Sequence, residues 1–286
     1  MYNYLYSEVK MNKKSAVYLL LPAFLAVLVF TFYPLIQIAI PTLNSKQGFL
    51  RLYTQFLRST YNWEVIQRTF IIAIITMLIV LILGLPVSLW IARQKRSFRQ
   101  VLSVLILFPM LTNAVVRNFA WIIILGKNGV INQTLMALHI VKSPVSILYT
   151  DTSIIVGSAY LFLPIMITSL VGSVSELNIE TEEAAAVLGA NPWTSLFKII
   201  IPQLTTGIFT GSILVFAGTM TAYTTPQILG GNRHLVMSTL IYQQAMTLSN
   251  WDNASAIAIV LILISALSMT ILRLIGKKLD RRPGLA

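Results

Sequence analysis

The chain has 286 residues, of which 56% are hydrophobic and only 10% charged, far below the roughly 25% charged of soluble domains, so water is not its main solvent. The formal charge of +12 would suit a nucleic acid, but lysines and arginines that flank apolar stretches fix membrane orientation and meet anionic headgroups, and no nucleic-acid partner is expected. There is no cysteine, which excludes disulfides, thiol chemistry and cysteine-based metal sites and leaves the redox compartment open.

A hydrocarbon core about 30 Å thick takes roughly 20 apolar residues to cross. Six such stretches are predicted, near 16–40, 69–92, 101–125, 153–172, 203–226 and 253–275, with a short segment (1–15) before them and a basic tail (277–286) after a single membrane domain (16–276). The first follows Lys10, Lys13 and Lys14 like a signal leader, yet its apolar run exceeds the roughly 7–15 residues of a signal core and lacks a small-residue cleavage site, so a retained anchor is expected. Between spans one and two, Phe49, Leu50, Tyr53, Phe56 and Leu57 recur at spacings of three and four, the pattern of a short surface helix that either packs on the bundle or docks a partner. Trp90, Trp121, Tyr149, Tyr160 and Trp251 fall near span ends, where amphipathic rings favour the headgroup level. With the N-terminus inside, 13 lysines and arginines lie on the inner side and 7 on the outer, which predicts both termini in the cytoplasm.

Polar interruptions mark where a path could run. Span three holds Pro109, Thr112, Asn113, Arg117 and Asn118, and the outer end of span five reads GTMTAYTTPQILGG, with Tyr223 and Thr224 inside it. Non-helical backbone at membrane depth survives only where protein or a water-filled cavity satisfies it, so these segments are candidate path linings, with Tyr160 and Asp252 near the outer mouth. A buried arginine costs several kcal/mol unless paired: Arg117 either lines the path or ties helices through carbonyls, and both readings stand. No Asp or Glu lies within a predicted span, which argues against the carboxylate relay of an ion-coupled carrier. His139 and His234 lack ligand spacing and read as plain loop residues, so neither a metal site nor a catalytic residue is expected. The Gly-Lys pairs at 126–127 and 276–277 lack the context that cradles phosphates.

Residues 180–202 read ETEEAAAVLGANPWTSLFKIIIP. Asn178 can cap a helix whose first turns carry Glu180, Glu182 and Glu183 against the positive end of its dipole. Gly189 suits a left-handed position after that helix, Asn191 and Pro192 suit the cap and first turn of another, and Pro202 ends it or bends it into span five. The prediction is a helix-turn-helix over 178–202 whose Ala184, Ala185 and Ala186 permit close approach of another protein; a well-capped connector fits the same grammar.

Glu183-Ala184-Ala185, three residues, Gly189, nine residues, Ile199, one residue, Ile201 and Pro202 resembles the EAA loop of permease subunits of ATP-binding-cassette importers, EAA-x3-G-x9-I-x-LP, with isoleucine for the usual leucine at 201. FPMLTNAVVRNFAWIIILGKNGVINQTL (108–135), YLFLP (160–164), LGGN (229–232) and NWDNASAIA (250–258) look like the spermidine/putrescine branch. The resemblance implies an all-α, six-span type I importer permease with the MetI-like fold in a bacterial plasma membrane. It implies that the hairpin, through Glu182, Glu183, Ala184, Ala185, Gly189, Ala190 and Pro192, docks on a cytoplasmic ATPase homodimer that carries the ATP and Mg, so that this chain binds no cofactor. It further implies a second, homologous permease, an extracytoplasmic solute-binding protein and a surround of membrane lipid. A polyamine is the leading substrate; a small anionic solute such as a phosphonate would suit Arg117 better. The competing classes are an ion-coupled secondary carrier and an insertase-type structural protein.

Overall fold

The computed structural model describes residues 13–43, 48–177 and 179–279, which form helices and turns with no strand among the described residues. The expected cap Asn178, and most of segments 1–15 and 277–286, lie outside them. In chain order the helices are α1 (Lys13–Leu43), α2 (Phe49–Arg58), α3 (Thr60–Ala92), α4 (Arg96–Leu111), α5 (Ala114–Leu125), α6 (Val130–Ala137), α7 (Asp151–Ser175) and α8 (Ile179–Val187). There follow α9 (Pro192–Gln203), α10 (Thr205–Thr221), α11 (Met237–Tyr242) and α12 (Trp251–Leu279). Among the described residues five helical segments are long and apolar enough to cross a membrane, and six if the bent pair α9–α10 is one span.

The short helix between spans one and two forms, but its buried face differs from the predicted stripe: Leu52, outside that stripe, is buried with Phe56, Tyr53 packs against the core and Leu57 is exposed. Asn62 and Trp63 donate to the carbonyls of Phe56 and Leu57, closing its corner with α3. Span two is longer than the predicted 69–92, because Thr60 to Arg68 continue the helix and bring Glu64 into its first turns. Span three is not the single helix expected over 101–125. Pro109 has no N–H to donate, α4 stops at Leu111, and the Asn113 carboxamide accepts from Val115 N (2.9 Å) and Val116 N (3.3 Å) to start α5. Of the two alternatives at Pro202 the bend is found: the second hairpin helix runs to Gln203, where the chain turns 70° into α10, and that span ends at Thr221 rather than 226.

Contacts set the directions. Ile72 of α3 packs beside Ile154 of α7, and Gly84 meets Met166, so the two helices run parallel and an odd number of crossings separates them. Gly207, Gly211 and Gly218 of α10 face Ser173, Met166 and Phe162 of α7, an antiparallel run of small residues that lets two backbones approach; a Cβ at Gly211 would lie 2.7 Å from Met166 Sδ. Ser265 and Gly276 of α12 meet Met220 and Phe209 of α10, again antiparallel, and the last turns of α1 lie beside the first of α12. The start of α1, the end of α12, the α3–α4 corner and the 179–203 hairpin therefore share one end of the bundle. The core lies between α3, α7, α10, α11 and α12, around Val65, Val80, Met166, Phe216, Met220 and Leu240.

Candidate functional site

The hairpin is built by local rules. After α8, Gly189 takes φ +81°, Gly189 N–H donates to Ala186 O (3.0 Å) and Ala190 N–H to Ala185 O (3.0 Å), the paired closure that leaves few helix carbonyls unsatisfied. A side chain at that φ would be strained, so glycine is required by the turn itself. Asn191 Oδ1 then accepts from Thr194 N (2.7 Å), and Pro192 occupies the first turn of α9, where its missing N–H costs nothing.

The residues expected to couple to an ATPase divide between two faces. Glu183 and Ala184 are exposed, as is Gly189; Ala185 is buried and Ala190 half-buried. Glu182 turns inward, both carboxylate oxygens 2.8 Å from Arg93 Nη2 at the end of α3. Four apolar side chains that the reasoning from sequence did not select surround the turn: Val187 and Leu188 are each 87% exposed, and Trp193 and Phe197 stack with ring centroids 6.2 Å apart. The signal for them was present, since apolar residues stand on both sides of a glycine turn that the bundle core does not reach.

The path candidates fall in separate places. Arg117 and Tyr160 line one cavity of about 430 Å³ with Thr112, Val116, Ala120, Trp121 and Ile124, and the Tyr160 ring meets Trp121 edge-on at 5.6 Å. The guanidinium donates from one Nη to Pro109 O (2.8 Å) and Thr112 O (3.3 Å), the carbonyl end of α4, while its Nε is buried without a partner. Arg117 thus ties the two halves of the broken span and also borders the cavity. Asn113 is the cap of α5, and Asn118 is wholly buried with neither amide atom bonded. Tyr223 lies 4.9 Å from the ring of Tyr242 in an apolar groove of about 510 Å³ bordered by Trp251; Thr224 is half-buried beyond it, and Asp252 stands in the first turn of α12.

At the end opposite the hairpin, His234 is not the plain loop residue expected. Its Nδ1 lies 2.7 Å from Asp151 Oδ1, which also takes Arg68 Nε at 3.3 Å, and Arg68 Nη1 donates to Leu235 O. Ser153 Oγ and Tyr149 N–H both donate to Leu229 O, at 2.8 and 3.0 Å, so the segment after α10 is stitched to the start of α7. Asp151 is consumed in this knot and is not a free carboxylate for a cation.

Comparison with known proteins agrees with this architecture. The profile described as "Binding-protein-dependent transport system inner membrane component" matches residues 84–284. The spermidine/putrescine transport system permease protein PotB of Escherichia coli (strain K12) is 30% identical over 232 residues, 80% of this chain and 84% of that one. The molybdenum transport system permease protein ModB of Mycobacterium tuberculosis is 31% identical over 189 residues, 65% of this chain and 69% of that one. A crystal structure of a bacterial ABC transporter involved in the import of the acidic polysaccharide alginate superposes with TM-score 0.76 at 17% identity, over 92% of this chain and 95% of that one, which shows the shared fold. The chain belongs to the binding-protein-dependent transport system inner membrane components, the multi-pass permease subunits of ATP-binding-cassette importers.

Proposed function

We propose that this permease imports a polyamine-like solute, with its hairpin on the cytoplasmic side seated on an ATPase homodimer. The observation that carries the docking reading is the hairpin: a rigid, glycine-closed elbow at the bundle end, with Glu183 and Ala184 exposed and Val187, Leu188, Trp193 and Phe197 uncovered. ATP and Mg belong to that partner. Basic residues cluster at the hairpin's end, at Arg93, Lys95, Arg96, Arg99, Lys277 and Lys278, which supports placing it inside the cell together with both termini. Open apolar side chains along α1 and α4, among them Phe24, Phe30, Val104 and Phe108, face lipid and a second, homologous permease that completes the pathway. An extracytoplasmic binding protein delivers solute to the end that carries the Arg68–Asp151–His234 knot.

Similarity to PotB supports a polyamine, whose charges and methylenes suit the aromatic groove of Tyr223, Tyr242 and Trp251. Arg117 on the cavity wall, and the likeness to ModB, favour a small anion as the second reading. Uptake assays in vesicles carrying the assembled importer decide between them: ATP-dependent accumulation of labelled spermidine or putrescine, unaffected by molybdate or phosphonate, supports the first, and the reverse competition supports the second.

A further inference from the structure

Two neighbouring glutamates on α8 face opposite surroundings. Successive helical residues are turned by about 100°, whereas residues three apart share a face. Glu182 and Ala185 therefore share the side toward the bundle, Ala185 6% exposed and the Glu182 side chain 37% exposed beside an Arg93 that is 56% exposed, while Glu183 looks away. Below them α9 rests on an apolar floor in which Ile200 and Leu204 meet Val174, Leu85 and Leu89. A cavity of about 140 Å³, lined by Ala92, Val174, Thr181 and Ile199, lies between that floor and the ion pair, and across it α8 reaches α3 through Arg93 and Glu182. The charges match the helix ends they occupy: Arg93 stands at the carbonyl end of α3, and Glu182 in the first turn of α8.

We propose that the Arg93–Glu182 pair is a positioning clasp that makes α8 move as one body with span two. A push on the hairpin then reaches α3 directly, in addition to reaching α10 through the bent α9. With the clasp open, movement of α8 about the Gly189 turn is absorbed locally and only span five is driven. Glu182 thereby acts within the chain while Glu183 meets the partner. The proposal rests on the reading that the hairpin receives the ATPase.

The test uses the complete importer in proteoliposomes, with solute uptake per ATP hydrolysed and retention of the ATPase as separate readouts. Arg93→Glu and Glu182→Arg should each lower uptake per ATP at least about fivefold, the low end of a typical coupling free energy, with the ATPase still attached. The double exchange should restore most of the loss, the shortfall reflecting helix ends that now carry the wrong charges. Should the reversals fail to insert, Arg93→Gln and Glu182→Gln replace them and should show the same lowered ratio. Normal coupling in the single variants, or a double variant no better than either, overturns the clasp. Glu183→Arg is the separate control: if it leaves ATPase retention and uptake unchanged, the docking reading itself fails.

Discussion

The hairpin (179–203) and the α4–α5 break (96–125) both interrupt apolar stretches, yet they are held in different ways. In the hairpin the turn is closed by bonds between near neighbours in the chain: Gly189 and Ala190 close α8, and Asn191 opens α9. The apolar side chains at its turn, Val187, Leu188, Trp193 and Phe197, are exposed, while Ala185 and Ile200 are buried against the bundle. At the α4–α5 break Asn113 closes the start of α5 locally, while Pro109 O, which also accepts from Thr112 Oγ1, and Thr112 O take hydrogen bonds from Arg117 of the next helix, and Asn118 is buried beyond any partner. A locally satisfied element can be changed without unfolding the bundle, whereas an element that depends on one buried guanidinium cannot.

That contrast predicts opposite phenotypes. The largest effect belongs to Gly189→Pro, which cannot adopt φ +81°: ATP-dependent uptake should fall at least about tenfold, while membrane insertion and thermal stability in detergent stay near wild type. Glu183→Arg should come next, lowering ATPase co-purification about five- to tenfold with the fold again intact. For Arg117→Ala the pattern reverses: loss of its charged hydrogen bonds should cost about 2 kcal/mol, seen as a lower unfolding temperature, with uptake per folded molecule little changed. An unchanged unfolding temperature with altered solute preference would instead make Arg117 a path residue and erase the contrast. The smallest effect is expected for Asp151→Asn, about 1 kcal/mol, because Asp151 is 46% exposed and solvent screens its pairs with Arg68 and His234.

The same distinction explains what could be read from the amino-acid sequence. The apolar character of the spans, the glycine turn, the Asn191–Pro192 start and the existence of a short helix between spans one and two rest on interactions within about a turn and are found, whereas the bounds of spans two, three and five differ from those expected. Pro109 and Asn113 were visible as polar interruptions, but that they split the helix follows from Arg117 capping the carbonyl end of α4. The Arg68–Asp151–His234 knot joins residues far apart in the chain, with no periodicity to announce it, so His234 read as an isolated loop residue. The EAA spacing singled out Glu183, but the pairing of Glu182 with Arg93 was not legible because it depends on which face of α8 meets the end of α3, a tertiary fact.

Because the chain has no cysteine, one introduced at Leu188, which is 87% exposed beside the turn, reports on that position alone. In inside-out vesicles stripped of the ATPase, Leu188→Cys should react rapidly with an impermeant maleimide, become protected when the ATPase is added back, and stay unreactive from the outer face. Labelling from outside, or labelling indifferent to the ATPase, would contradict the docking of this hairpin on a cytoplasmic motor.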